Sequence, residues 1–154
     1  MIIYKDFEFD MSHRLDNYNG LCKNIHGHTY KLSVGIVVNK LGPLGMGVDF
    51  KIIKEVVNQS ALHFVDHTLW LKNSKENAAL IKVVKKQKMK LILTDYNPTA
   101  ENMALIFWKM LSKCLPLFTL TLYETPTSKV VINENNYAHM KKLVSDIEFS
   151  GDCE

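Results

Sequence analysis

The chain is short of arginine and of cysteine, and each shortage excludes something. One arginine, Arg14, stands beside 18 lysines and 16 acidic residues, and the resulting net charge of +3 is too dispersed to form the basic stripe that binds nucleic acid. A small phosphorylated substrate is still compatible with that charge. Three cysteines, Cys22, Cys114 and Cys153, make an odd set without short-range pairing, which argues against a disulfide framework and fits reduced thiols in the cytoplasm. No apolar run approaches membrane-spanning length, and the opening residues carry neither a basic leader before an apolar run nor a cleavage-site pattern. Internal repeats and low-complexity segments are also missing. What is left, 154 residues at 47% hydrophobic and 23% charged, is ordinary for one globular domain with its own core, so residues 1–154 read as a single domain.

Loose alternation of apolar and β-branched residues predicts strands over 2–9 and 29–38. A turn at 42–47 leads into a helix capped by Asp49 and running to about His63, with Ile52, Ile53, Val56, Val57 and Leu62 at helical spacing. A second helix starts in N-P-T-A-E-N, residues 97–102, with Thr99 as N-cap and Glu101 favoured by the dipole, and continues through Phe107 to about Lys113. Residues 117–123 and 129–132 predict a hairpin about the turn at 124–128. The scaffold order is strand, strand, helix, helix, strand, strand, an α+β arrangement. Between the helices, 74–88 has the pattern of a lysine-faced helix and 89–94 that of a short strand, so 72–95 reads as an insertion. From about residue 134 a tail extension places Tyr137, Met140, Val144 and Ile147 at helical spacing, where they can cover the core.

Three histidines carry the strongest chemical signal. His13 lies in F-D-M-S-H-R-L (9–15), and His26 and His28 lie in H-G-H-T-Y (26–30). Residues two apart on a strand share a face, so His26 and His28 can close on one metal ion with His13 from a neighbouring strand, and three neutral imidazoles suit zinc. Cys22, four residues before His26, either completes a closed structural site or stands free and leaves the fourth position to water or substrate. A free thiol near a cation can serve as a base. Asp66 and His67 form a second pair; if a turn brings the carboxylate onto the ring, it fixes the tautomer that a proton shuttle needs. Glu124, at a strand end, offers two acceptor oxygens to paired N–H donors such as those of a 2-amino-pyrimidinone ring. Lys82, Lys85, Lys86, Lys88 and Lys90 can attract a polyphosphate, but such a run is more often a solvated helix face.

Taken together, F-D-M-S-H-R-L, C-x-x-x-H-G-H (22–28), V-D-F (48–50), V-D-H-T-L (65–69), N-P-T-A-E-N and Y-E-T (123–125) resemble the 6-pyruvoyltetrahydropterin and 6-carboxytetrahydropterin synthase family. The motifs keep the family's order from Ile2 to about Ile132, and the short C-x-x-x-H-G-H spacing is similar to the bacterial carboxy-forming enzymes of the queuosine pathway. The resemblance implies a tunnelling fold: a four-stranded antiparallel sheet with two helices on one face, inserted between strands 2 and 3, assembling into barrels as trimers or hexamers. By motif position it implies zinc on His13, His26 and His28, Cys22 as general base, Asp66 with His67 as a second proton-transfer pair, and Glu124 as the pterin anchor. Thr99 and Glu101 match positions beside the pterin pocket, though capping explains them about as well. The implied reaction converts 7,8-dihydroneopterin triphosphate to 6-carboxytetrahydropterin with loss of acetaldehyde and triphosphate. Its alternatives are 6-pyruvoyltetrahydropterin synthesis, which leaves the side chain uncleaved, and a non-catalytic zinc or pterin-binding protein.

Overall fold

The computed structural model describes residues 1–140. Strand β1 (Ile2–His13) alternates so that Phe7, Phe9, Met11 and His13 are buried, and strand β2 (His26–Val37) buries Tyr30, Leu32, Val34 and Ile36. They pair antiparallel over their whole lengths, with Phe9 opposite Tyr30, Met11 opposite His28 and His13 opposite His26. Directly opposed residues project to one face, so the apolar set and all three histidines share it.

Two helical segments cover that face. Helix α1 (Phe50–Val57) is capped by Asp49, whose Oδ1 accepts from the Lys51 N–H at 2.8 Å, and runs through a π-helical turn (Asn58–Leu62) into the short α2 (His63–Val65). Helix α4 (Ala100–Leu111) is capped by Thr99 and buries residues on nearly every side, because it packs both on the sheet and against neighbouring helical segments. Phe107 meets Phe9 edge-on at 5.8 Å, and Phe9 stacks on Tyr30 at 5.3 Å. Strands β5 (Leu117–Thr125) and β6 (Ser128–Asn133) continue the sheet beyond β2 as the expected hairpin. Helix α5 (Glu134–Met140) sets Tyr137 against Trp108, with ring centroids 6.1 Å apart; Val144 and Ile147 lie outside the described residues.

Among the described residues the sheet has six strands, not four, in the order β4 (Leu91–Thr94), β3 (Thr68–Lys72), β1, β2, β5, β6. Strand β3 pairs parallel to the end of β1, from Met11 opposite Thr68 to His13 opposite Trp70, and β4 pairs parallel to β3 after helix α3 (Ala78–Lys86). The expected helix and short strand at 74–94 are present, but β3 was not anticipated. Its five residues bury Thr68, Trp70 and Leu71 on both faces, so the alternation that marks a half-exposed strand is missing. Leu71, Ile81 and Val84 are buried outside the main core cluster, so this β-α-β unit has apolar packing of its own.

Cys22 is free. No described helix is long and apolar enough to cross a membrane. Because Leu71 is fully buried, Leu71→Ala is expected to destabilise the chain by about 2–5 kcal/mol in urea unfolding. A loss under about 0.5 kcal/mol would mean that this unit packs as a surface appendage.

Candidate metal centre and active site

The end of the β1–β2 hairpin gathers the three histidines. Ring centroids lie 4.5 Å apart for His13–His26, 5.1 Å for His26–His28 and 5.5 Å for His13–His28. One ligand nitrogen from each lies within 4.8 Å of the others. The neighbouring strand dictates the glycine between the last two: a Cβ on Gly27 would stand 2.9 Å from the Met11 carbonyl oxygen and 3.1 Å from Ser12 Oγ.

Backbone carbonyls set the rings. His13 Nδ1 donates to the Pro98 carbonyl at 2.8 Å and His26 Nδ1 to the Asn24 carbonyl at 2.9 Å. A carbonyl only accepts, so both rings carry the proton on Nδ1 and keep a lone pair on Nε2, as a metal ligand requires. Burial holds His13 below its ordinary value, opposed by the Pro98 hydrogen bond, and the neutral ring is favoured. His28 Nε2 is buried with no hydrogen-bond partner. An orphaned buried nitrogen costs free energy unless something binds it, and beside two oriented lone pairs it fits a metal ion.

Around the triad, the buried Tyr30 hydroxyl donates to His13 Nε2 at 3.3 Å. Burial first, then the charges of Glu124 and Cys22, raises that hydroxyl well above the usual tyrosine range, so it keeps its proton. Glu124 Oε1 stands 3.6 Å from His13 Nε2 and 4.0 Å from His28 Nε2. Cys22 is half-buried in a 3-10 turn (Leu21–Lys23), which is tied back by the Leu15 N–H donating to its carbonyl at 2.9 Å. It is not a member of the ligand cluster.

Asp66 and His67 are brought together. His67 Nδ1 donates to Asp66 Oδ1 at 2.9 Å, which the residue's φ of +58° allows, and Asp66 Oδ1 also accepts from the Asp10 N–H at 3.1 Å. His67, Asp10, Ser12, His28, Thr29 and Lys90 line a cavity of 480 Å³. His67 thus shares a cavity with His28, although none of the hydrogen bonds of the Asp66–His67 pair reaches the triad. Lys90 Nζ donates to the Asp66 carbonyl at 3.1 Å, whereas Lys82, Lys85, Lys86 and Lys88 are exposed. Thr99 Oγ1 accepts from the Asn102 N–H at 3.4 Å, as a cap, and Glu101 is exposed on the first turn of α4. In that segment Pro98, not Thr99 or Glu101, makes the hydrogen bond to the triad. Pro98 and Asn24 act through main-chain oxygens, which no side-chain pattern signals, and in the sequence Tyr30 reads only as a strand residue.

Residues 2–135 match the family described as 6-pyruvoyl tetrahydropterin synthase, and the chain belongs to that family. Among similar proteins, the 6-carboxy-5,6,7,8-tetrahydropterin synthase of Haemophilus influenzae is 33% identical over 132 residues, covering 82% of this chain and 94% of its own. The same-named protein of Rickettsia conorii is 36% identical over 132 residues, covering 81% and 94%. Among solved structures, an uncharacterized protein of Wolinella succinogenes superposes with TM-score 0.73 at 16% identity, over 87% of this chain and 98% of that one. The Caenorhabditis elegans 6-pyruvoyl tetrahydropterin synthase gives 0.62 at 23% identity, over 86% and 94%. These two likenesses establish the fold.

In metal-free protein, the His13 ring protons are expected to titrate below 6.5 in an NMR pH series. A lowered folded-state value means that this ring's contribution to stability is complete above the ordinary imidazole value and is lost as the pH falls through the folded one. A midpoint at or above 6.5 would rule out burial as the dominant influence.

Proposed function

We propose that this chain is a zinc-dependent lyase of queuosine synthesis that converts 7,8-dihydroneopterin triphosphate to 6-carboxy-5,6,7,8-tetrahydropterin, releasing acetaldehyde and triphosphate. The observation that carries the reading is a three-histidine cluster that excludes the nearby thiol, so that Cys22 is available for chemistry. The carboxy-forming names of the relatives agree with it.

His13, His26 and His28 would hold the zinc, which when bound supplies Lewis acidity to substrate hydroxyls and favours their deprotonation. Cys22 takes a proton from the substrate side chain. His67 exchanges protons at Nε2, since Nδ1 is committed to Asp66. Glu124 accepts from ring N–H donors of the pterin; it already lies beside the triad, so the anchored ring would bring its side chain to the ligands. Thr99 and Glu101 are assigned to the rim of the same pocket. The substrate side chain supplies the reducing equivalents, so no redox cofactor is invoked.

The chain is also proposed to act as a homo-oligomer, a trimer or hexamer. Along β1, strand β3 covers only Met11–His13, which leaves the rest of that β1 edge, and the outer edge of β6, without a partner strand among the described residues. His67, 74% exposed, also lacks the walls that exclude water from a proton-transfer site. A neighbouring copy would supply both.

The family's own description favours a second reading, 6-pyruvoyl product formation, and product identity separates the two. Zinc-loaded protein incubated with 7,8-dihydroneopterin triphosphate is expected to give carboxy-pterin and acetaldehyde by mass spectrometry and a coupled assay. A pyruvoyl product selects the second reading, and unchanged substrate overturns both. Cys22→Ala should abolish turnover and leave zinc content near wild type, whereas loss of zinc would make the thiol a ligand. Glu124→Ala should weaken pterin binding by about 2 kcal/mol or more, measured by calorimetry, because buried ring donors lose a charged acceptor. Unchanged affinity removes Glu124 from the anchor role.

A further inference from the structure

We propose that Asn97 and Asp16 are positioning residues for the metal ligand His13, and that they brace it against the β3–α3–β4 unit; this rests on the metal-centre reading above. The Pro98 carbonyl that accepts from His13 Nδ1 belongs to a loop with no strand pairing. Asn97 fixes that loop. Its Oδ1 accepts from the Asp16 N–H at 2.8 Å and its Nδ2 donates to the Asp16 carbonyl at 3.0 Å, so one side chain closes a two-bond bridge onto the backbone three residues beyond His13. Both ends of the His13–Pro98 hydrogen bond are therefore held to one another from outside the ring. The loop's other side is tied to α4, since the Thr99 N–H and Asn102 Nδ2 each donate to the Asn97 carbonyl at 2.9 Å.

The Asp16 side chain then secures the bridge. It is buried to 1% exposure, and a buried carboxylate must be satisfied by donors. Asn77 Nδ2 donates to Oδ1 at 2.9 Å, Ser74 Oγ donates to Oδ2, and the Arg14 guanidinium is 4.0 Å away. Asn77 is itself fully buried, and its amide also donates to the Lys72 carbonyl at 2.8 Å, so both its protons are used and its orientation is fixed. Ser74 and Asn77 lie in the turn between β3 and α3. The unit that widens the sheet from four strands to six thereby supplies the donors beneath a metal ligand, three hydrogen-bonded links removed. Partners that hold a ligand's far nitrogen set its orientation, and losing them typically costs about 10–100-fold in metal affinity.

Zinc affinity of the full chain, measured by competition with a chromophoric chelator, tests the assignment alongside urea unfolding of the zinc-free protein. Asn97→Ala and Asp16→Ala are expected to weaken zinc about tenfold or more. Asp16→Asn, which can still accept from Asn77 and donate to Ser74 Oγ, is expected to stay within a few-fold of wild type. Should Asp16→Ala fail to fold, Asn97→Ala and Ser74→Ala carry the same expectation in the same direction. Variants that lose stability yet bind zinc as tightly as wild type would overturn the proposal and leave these residues a structural role. Equal losses for Asp16→Asn and Asp16→Ala would overturn it too, by making charge the operative property. If wild type binds no zinc, the metal-centre reading fails first and takes this inference with it.

Discussion

The pairing register of β1 and β2 is the constraint on which the rest depends. A slip of one residue would send every side chain of the slipped strand to the opposite face, separating His13 from His26 and His28 and turning Phe9 or Tyr30 out of the core. What prevents the slip is burial: Phe7, Phe9 and Met11 on one strand and Tyr30, Leu32, Val34 and Ile36 on the other all need the covered face. The energy that positions the three histidines is therefore hydrophobic and lies mostly away from them. Tyr30 belongs to both regions, its ring stacked on Phe9 and its hydroxyl on His13.

Rigid and adjustable parts of the site divide along the same line. The histidines sit on strands, but the carbonyls that set two of the rings come from non-strand residues, Asn24 before β2 and Pro98 before α4. Cys22 occupies a short turn, and the Asp66–His67 pair occupies a left-handed corner pinned to Asp10. Strand pairing thus fixes where the ligands are, while loop main chain fixes how they face. Two of the three rings thus need no side-chain partner for their outer nitrogens.

The sequence was most informative where periodicity was long or chemistry was concentrated. The histidine spacing, the Asp49 and Thr99 caps, the β5–β6 hairpin and the Asp66–His67 contact were all legible, the last as a condition that the turn at His67 meets. Strand β3 was not, because burial on both faces erases alternation, and with it went the six-strand width of the sheet. Strands β1 and β2 also run further than their apolar alternation suggested, since polar Ser12, His13, His26 and His28 continue the ladder. Pro98 was visible only as part of a helix start. Its role depends on a carbonyl 85 residues from its donor, and local pattern carries no information at that separation.

All three histidines of the candidate metal centre lie on one hairpin within the first 28 residues, whereas the other candidate site residues extend to Glu124. Hairpin closure is a local event, with little chain entropy to overcome before contacts form. On a ribosome, the complete ligand set emerges long before either helix that covers it. The histidine cluster can therefore assemble before the rest of the candidate site, with the Pro98 carbonyl arriving late to lock one ring.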